Sequence, residues 1–421
     1  MRVLFFKSSI FLFFLFLTFV KGLTQSIPLI RIDPTNAYGG TMSDFFDEIE
    51  YIPLETTTES LLGSASKLVI TDSSFVIGDY DTKSIFFFTP SGKFITRARL
   101  PYENSISMNI SYETDRKMIS VISFNWDTEK GICKYYTLTG KLIDTPKENI
   151  TKETSAVVYL GSGFNLGINW NYLYKGESPK NSTFFIFSTY KKGIRYKSFL
   201  PFNQANSLAF SRLMGSYITA FGNPLKAQNG YLYAAEPLTF KTFKINKDTA
   251  IASFQFVLPY ERVIPKTLIE GNNLKSIDSL KETLSFDNKT ILQISNIFYY
   301  RNYLFFKLIP RMYLFKPNSD PEFQYNFMYD TLTKKLISIE KISPDASSYF
   351  LSALGHIAQR DGIEYFNGNL YTSLSALEMF NQMEKTKEKA KRYPPALDKY
   401  FSTETRKSNP VIVKLKLRKE L

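Results

Sequence analysis

In 421 residues the chain carries one cysteine, one histidine and two tryptophans. A single thiol, Cys133, excludes an internal disulfide framework and any cysteine-clustered zinc site. A single imidazole, His356, excludes a multi-histidine metal centre built from one copy of the chain. No metal site and no cofactor is therefore expected. Disorder is excluded as well, because 44% of the residues are hydrophobic. What the chain has in excess is aromatic: 38 Phe and 27 Tyr, which favour strands because flat rings pack well on a pleated face.

A long apolar run occurs at the N-terminus. Arg2 and Lys7 form a basic head, and Ser8 to Val20 follow as an apolar stretch with five Phe. The run is short for a bilayer span and ends in small or polar residues at Gly22 and Thr24, the pattern of a secretory signal over residues 1–24. No cysteine lies near the cleavage region, so lipid attachment there has no nucleophile. The expected location is the periplasm or outer surface of a Gram-negative bacterium, with no transmembrane segment after cleavage and the protein a monomer. Cys133 is expected to be a buried spectator.

The formal net charge is +13, and loss of Arg2, Lys7 and Lys21 with the signal lowers it to +10. A field of that size steers anionic partners. The cations are scattered, and no nucleic-acid-binding pattern appears, so nucleic acid is not an expected partner.

Beyond a 25–43 extension, strands recur at regular intervals. Lys67 to Ile95 parses as Leu68–Thr71, Phe75–Asp79, Ser84–Phe88 and a strand from Lys93. The turns between them use Asp and Ser, which bond to following amides, and Gly92, which accepts a positive φ. Met118 to Ile143 repeats the unit, with Thr139-Gly140-Lys141 in register with Ser91-Gly92-Lys93. Further units begin near Gly163, Asn229, Ile294 and Asp361; the last is interrupted by a helical stretch over about 375–392 and resumes at Asn409. Residues 44–421 divide into six units of 63. Radial repetition of small sheets is the β-propeller's answer to open sheet edges, and successive sandwiches would not explain the recurring turn. The fold class expected is all-β: a six-bladed β-propeller of four-stranded antiparallel blades with a short helical insertion in the last. Ile49–Leu54 and Val411–Leu417 are both alternating, edge-tolerant strands, and are expected to share one blade and close the ring.

Two segments carry a family resemblance. Ser43–Ile70 followed by the YDTKSIFFFTPSGKFI hairpin, and the closing NPVIVKLKL of Asn409–Leu417, resemble the six-bladed β-propeller proteins exported by Bacteroidetes. That family is largely of unknown biochemical function, so the resemblance implies fold and export rather than a ligand. One departure is RARLPYENSISMN (Arg97–Asn109), which stands where the family often carries a glycine-rich, basic loop.

Catalytic residues are not assigned. His356 has Ser347, Ser348 and Ser352 nearby, but no Gly-x-Ser-x-Gly elbow exists to make a serine nucleophile. Asp79 and Asp81, like Asp44, Asp47 and Glu48, present paired carboxylates that suit calcium or glycan hydrolysis. Both sets are also what turns and helix caps use, and that is the reading taken. The ligand-binding candidates are Trp126 and Trp170, each in an Asn-Trp pair, extended by Tyr172 and Tyr174, since aromatic rings in polar turns stack on sugars or peptide side chains. The Asn-x-Ser/Thr triplets at Asn109, Asn149, Asn181 and Asn288 carry no meaning in a bacterium. In the helical stretch Leu377, Met379, Phe380 and Met383 form an apolar side that packs on the last blade.

The expected role is a non-catalytic cell-envelope propeller that holds a glycan, peptide or envelope protein through loops at the channel mouth. The alternative is a polysaccharide hydrolase or lyase using carboxylates or Tyr. Mass spectrometry of the exported protein is expected to find its N-terminus at Leu23 or Gln25; a chain beginning at Met1 would overturn the signal assignment.

Overall fold

The structure is a computed structural model that describes residues 27–63, 65–100, 106–125, 130–143, 157–168, 184–202, 227–236, 238–264, 289–310, 326–354, 363–389 and 392–419. The described chain opens with β1 (Leu29–Arg31), β2 (Tyr38–Thr41), a one-turn helix α1 (Met42–Phe45) and β3 (Phe46–Pro53). Six sheets follow around an axis. Blade 1 holds β4 (Lys67–Ile70), β5 (Phe75–Asp79), β6 (Ser84–Phe88) and β7 (Phe94–Arg99). Blade 2 holds β8 (Ile106–Glu113), β9 (Met118–Asn125), β10 (Lys130–Thr137) and β11 (Leu142–Ile143). Blade 3 holds β12 (Val157–Gly161), β13 (Phe164–Ile168), β14 (Phe184–Lys191) and β15 (Ile194–Phe202). Blade 4 has β16 (Tyr231–Ala235), β17 (Lys241–Asn246) and β18 (Ala250–Val257), and blade 5 has β19 (Ile291–Tyr300), β20 (Tyr303–Pro310), β21 (Asn326–Asp330) and β22 (Leu336–Ser343). Blade 6 joins β23 (Glu364–Phe366), β24 (Asn369–Leu374) and β25 (Val411–Leu417) to β3.

Two outer strands differ from the antiparallel pattern that the sequence suggested. β1 pairs in parallel with β18, Ile30 opposite Phe256, and makes the fourth strand of blade 4. β2 pairs in parallel with β22 and gives blade 5 a fifth strand. The extension thus covers the outer edges of two blades, where unpaired backbone groups would otherwise invite other chains.

The core lies between blades. Val69, Val76 and Phe87 of blade 1 pack against Ile110, Ile119 and Tyr136 of blade 2, while Phe86 and Phe88 on the other face pack toward Ile412 and Tyr371 of blade 6. β5, β6 and β21 are buried along their whole length. That is why their apolar residues, Phe75–Ile77, Ile85–Phe88 and Phe327–Tyr329, run together rather than alternate with polar ones. Each fully buried Phe contributes on the order of 1.5–3 kcal/mol.

Turn chemistry repeats with the blades. Lys93 N and Lys141 N each donate at 3.0 Å to the hydroxyl of the Thr four residues earlier, Thr89 and Thr137. Gly92 has φ +83°, and a Cβ there would sit 2.1 Å from Pro53 O, so both conformation and space demand glycine. Asp79 accepts from Asp81 N, Thr82 N and Thr82 Oγ1, and Asp330 from Leu332 N, Thr333 N and Thr333 Oγ1. Blades 1 and 5 therefore use the same Asp-x-x-Thr hairpin turn. Arg97–Asn109, taken from sequence as one replaced loop, instead ends β7 and begins β8 on either side of residues 101–105, which lie outside the described residues.

Between β24 and β25 the chain forms α2 (Ala376–Thr386) and α3 (Pro395–Thr403). Ser375 caps α2, its hydroxyl accepting from Glu378 N and donating to the Glu378 carboxylate. Met379 and Phe380 are buried and Met383 packs beside them, but Leu377 is 52% exposed. The buried face follows positions 376, 379, 380 and 383, and Leu377 is turned away from it by one helical step. The helix also ends earlier than its charge pattern suggested, and α3 starts at a proline, which fits the first helical turn.

The ring closes where β25 pairs antiparallel with β3, from Val411 opposite Pro53 to Lys416 opposite Glu48. Lys414 meets Glu50 at 3.0 Å, Lys416 bonds Glu48, and Arg418 meets Asp47 at 3.6 Å. Asn409, 1% exposed, fixes the join: its amide donates to Glu55 O (2.7 Å) and Ser60 O (2.9 Å) and accepts from Leu62 N (2.9 Å). Truncating that side chain removes the bonds to the buried Ser60 carbonyl and to Leu62 N, and leaves Glu55 O with the Ser60 hydroxyl alone. Asn409→Ala is expected to destabilise by about 2–4 kcal/mol in chemical unfolding. Deleting Asn409–Leu421 is expected to lower the melting temperature sharply or prevent secretion, and a deletion that melted like the full chain would refute this closure.

Candidate functional site

The inner strands of the blades converge on the axis; β23, β4, β8 and β12 follow one another there, and β16 sits beside β19. Lys67 and Val69, Ile110 and Tyr112, and Val158 and Leu160 line one central cavity of about 320 Å³. Glu364 of β23 and the Asn229-Gly230 turn before β16 complete the wall. The cavity draws on five of the six blades, and its lining mixes one lysine, one glutamate and hydroxyl-bearing side chains with aliphatic ones.

One mouth of the cavity is held by tyrosines that reach between blades. Tyr112, at the end of β8, donates to Asp72 in the first turn of blade 1 at 2.6 Å. Asn367 of blade 6 donates to the other oxygen of Asp72 at 3.2 Å, so one carboxylate joins three blades. Tyr159, in β12, donates to Asp115 in the first turn of blade 2, and Asp115 also accepts from Ser162 N at 3.0 Å. Tyr300 of blade 5 donates to Gly368 O of blade 6 at 2.9 Å. Burial raises the ionisation of Tyr112 and Tyr159 above the ordinary phenol range, and the neighbouring carboxylates raise it further. Both hydroxyls are thereby fixed as donors.

The acidic pairs read from sequence are structural. Asp79 is buried and engaged by its own turn and by Gly63 N at 2.8 Å. Asp44 caps α1, accepting from Thr41 N at 2.7 Å and from the Thr41 hydroxyl at 2.8 Å, while Asp47 and Glu48 face Arg418 and Lys416 across the closing pair. Among the described residues no group of three His, Cys, Asp or Glu side chains is placed to hold a metal ion. Trp126, Trp170, Tyr172, Tyr174 and His356 lie outside the described residues. Tyr112 and Tyr159 were missed from sequence, because their partners lie 40 and 44 residues away in other blades and leave no local signal. Among the described residues, no helix is long and apolar enough to cross a membrane.

The family model described as a domain of unknown function, DUF4934, matches residues 29–416. Among solved structures, a Bacteroides fragilis protein whose description infers export superposes with a TM-score of 0.61 at 12% identity, over 93% of this chain and 100% of that one. A DUF4221-family member from Bacteroides vulgatus gives a TM-score of 0.41 at 13% identity, over 89% and 97% of the two chains. No curated protein matches.

The rim tyrosines generate a pH prediction. In the fold their ionisation lies above the ordinary value of 10.0, so the stability they contribute is full below about pH 10 and is lost as pH rises beyond it. Ultraviolet titration of the folded protein is expected to show these phenols still protonated at pH 11. Tyr112→Phe and Tyr159→Phe are each expected to destabilise by about 1–3 kcal/mol at neutral pH, because a carboxylate loses one of its two donors.

Proposed function

The chain belongs to the DUF4934 family, and from that footing we propose that it is a non-catalytic binding propeller of the cell envelope. It holds a glycan, peptide or protein partner at the mouth of its central channel. The observation that carries this reading is the axial cavity of about 320 Å³, which has the scale of one sugar ring or side chain and is walled by Lys67, Glu364, Tyr112 and Tyr159. A tyrosine that served as a base would need its ionisation lowered toward neutrality. Tyr112 and Tyr159 are driven the other way and are committed to Asp72 and Asp115. Such groups position a partner rather than exchange protons with it. The Phe-rich, basic-headed segment at residues 1–24 supports export to the periplasm or cell surface, as does the description of the Bacteroides fragilis structure.

Isothermal titration against a panel of glycans and peptides, with product analysis of every mixture, tests the reading. Saturable binding without product is expected. Glu364→Gln, which removes the cavity's carboxylate charge, is expected to weaken it about 5- to 30-fold. Turnover of any substrate would sink a binding-only role.

A further inference from the structure

A second cavity, of about 540 Å³, lies off the axis at the junction of blades 4 and 5. Its aromatic lining is Phe254 of β18, Tyr299 of β19 and Tyr329 of β21. One wall is β1, ending in Arg31, and the other is the β21–β22 turn with Thr331 and Lys334. The wall formed by β1 exists only because the N-terminal strand adds in parallel to β18.

The lining has a definite chemistry. Tyr299 is half-buried and braced edge-on by Tyr233 at 5.2 Å and by Phe254 at 6.3 Å, with interplanar angles of 63° and 86°. Its ring is thus held in place, and a fixed aromatic ring offers a stacking surface at low entropic cost. Arg31 and Lys334 are both exposed and bring two positive charges, and among the described residues no carboxylate lines the cavity. Asp330, the nearest acid in sequence, is engaged by its own turn through Leu332 N at 2.8 Å and Thr333 Oγ1 at 2.6 Å. Burial raises the ionisation of Tyr299 and Tyr329, which keeps both hydroxyls protonated. Two cations, hydroxyl donors and a ring platform together match a ligand that is hydroxylated, anionic and able to lay a C–H face on an aromatic ring.

We infer that this cleft binds an acidic sugar, a uronate unit of a glycan, with its carboxylate toward Arg31 and Lys334 and its ring against Tyr299. The site is distinct from the axial cavity, and its occupancy stands or falls separately. The full mature chain is to be titrated with fluorescently labelled trigalacturonate, a heparin tetrasaccharide and neutral galactotriose. Saturable binding of at least one acid is expected, weakening as salt rises, with the neutral trimer bound about tenfold or more weakly. The Arg31→Gln/Lys334→Gln double variant is expected to lose about tenfold or more in affinity, with its melting temperature unchanged because both side chains are exposed. Failure of both acids to bind saturably, equal affinity for the neutral trimer, or full affinity in the double variant would each overturn the inference.

Discussion

Everything in this fold depends on the pairing of β25 with β3. A propeller blade buries its faces against two neighbours, so a ring left open would expose two apolar blade faces at once. The strands that prevent this come from opposite ends of the chain, and their register is set by backbone pairing from Val411 to Lys416. Asn409 adds a buried amide that reaches Glu55, Ser60 and Leu62. The link continues into blade 1, where Glu55 N donates to Gly92 O and the Glu55 carboxylate accepts from Phe94 N. The closing blade and the first blade are therefore joined by polar contacts as well as by the layer around Phe75, Ile77 and Ile412.

The axis and the rim divide the work between packing and polar geometry. Between blades, Phe, Ile and Leu fill successive layers, and burial alone sets the spacing. At the axis the inner strands cannot fill the space, which leaves a cavity whose size follows from blade number and strand tilt. Around its mouth the tyrosine–carboxylate bonds tie blade to blade beside the apolar contacts of Tyr112 with Phe366 and Ile110. Asp72, shared by Tyr112 and Asn367, shows how one acid fixes three blades. The N-terminal segment plays the comparable role outside, covering two exposed edges with parallel strands.

Much of this was legible locally. The hairpin turns at Asp79-Tyr80-Asp81-Thr82 and Thr89-Pro90-Ser91-Gly92 each carry side-chain bonds that span no more than four residues, so their residue types announce them. The fully buried strands were legible as apolar runs, and the closing pair as two alternating strands. Contacts over long separations left no such mark. Nothing in Tyr112 points to a partner forty residues earlier in another blade, and a three-residue strand such as β1 has too little pattern to declare which edge it will join. The exposure of Leu377 turned on the angle at which one helix face settled against blade 6.

By itself the sequence determined the class, the six-fold repetition, the closing strands and the turn chemistry, because these rest on periodicity, local hydrogen bonding and steric permission at residues such as Gly92. Tertiary structure alone decided where the cavities lie, which tyrosines guard the axis and how the N-terminus builds a wall of the blade 4–5 cleft. Those features are made by groups from separate blades, and only ring closure brings them within reach of one another.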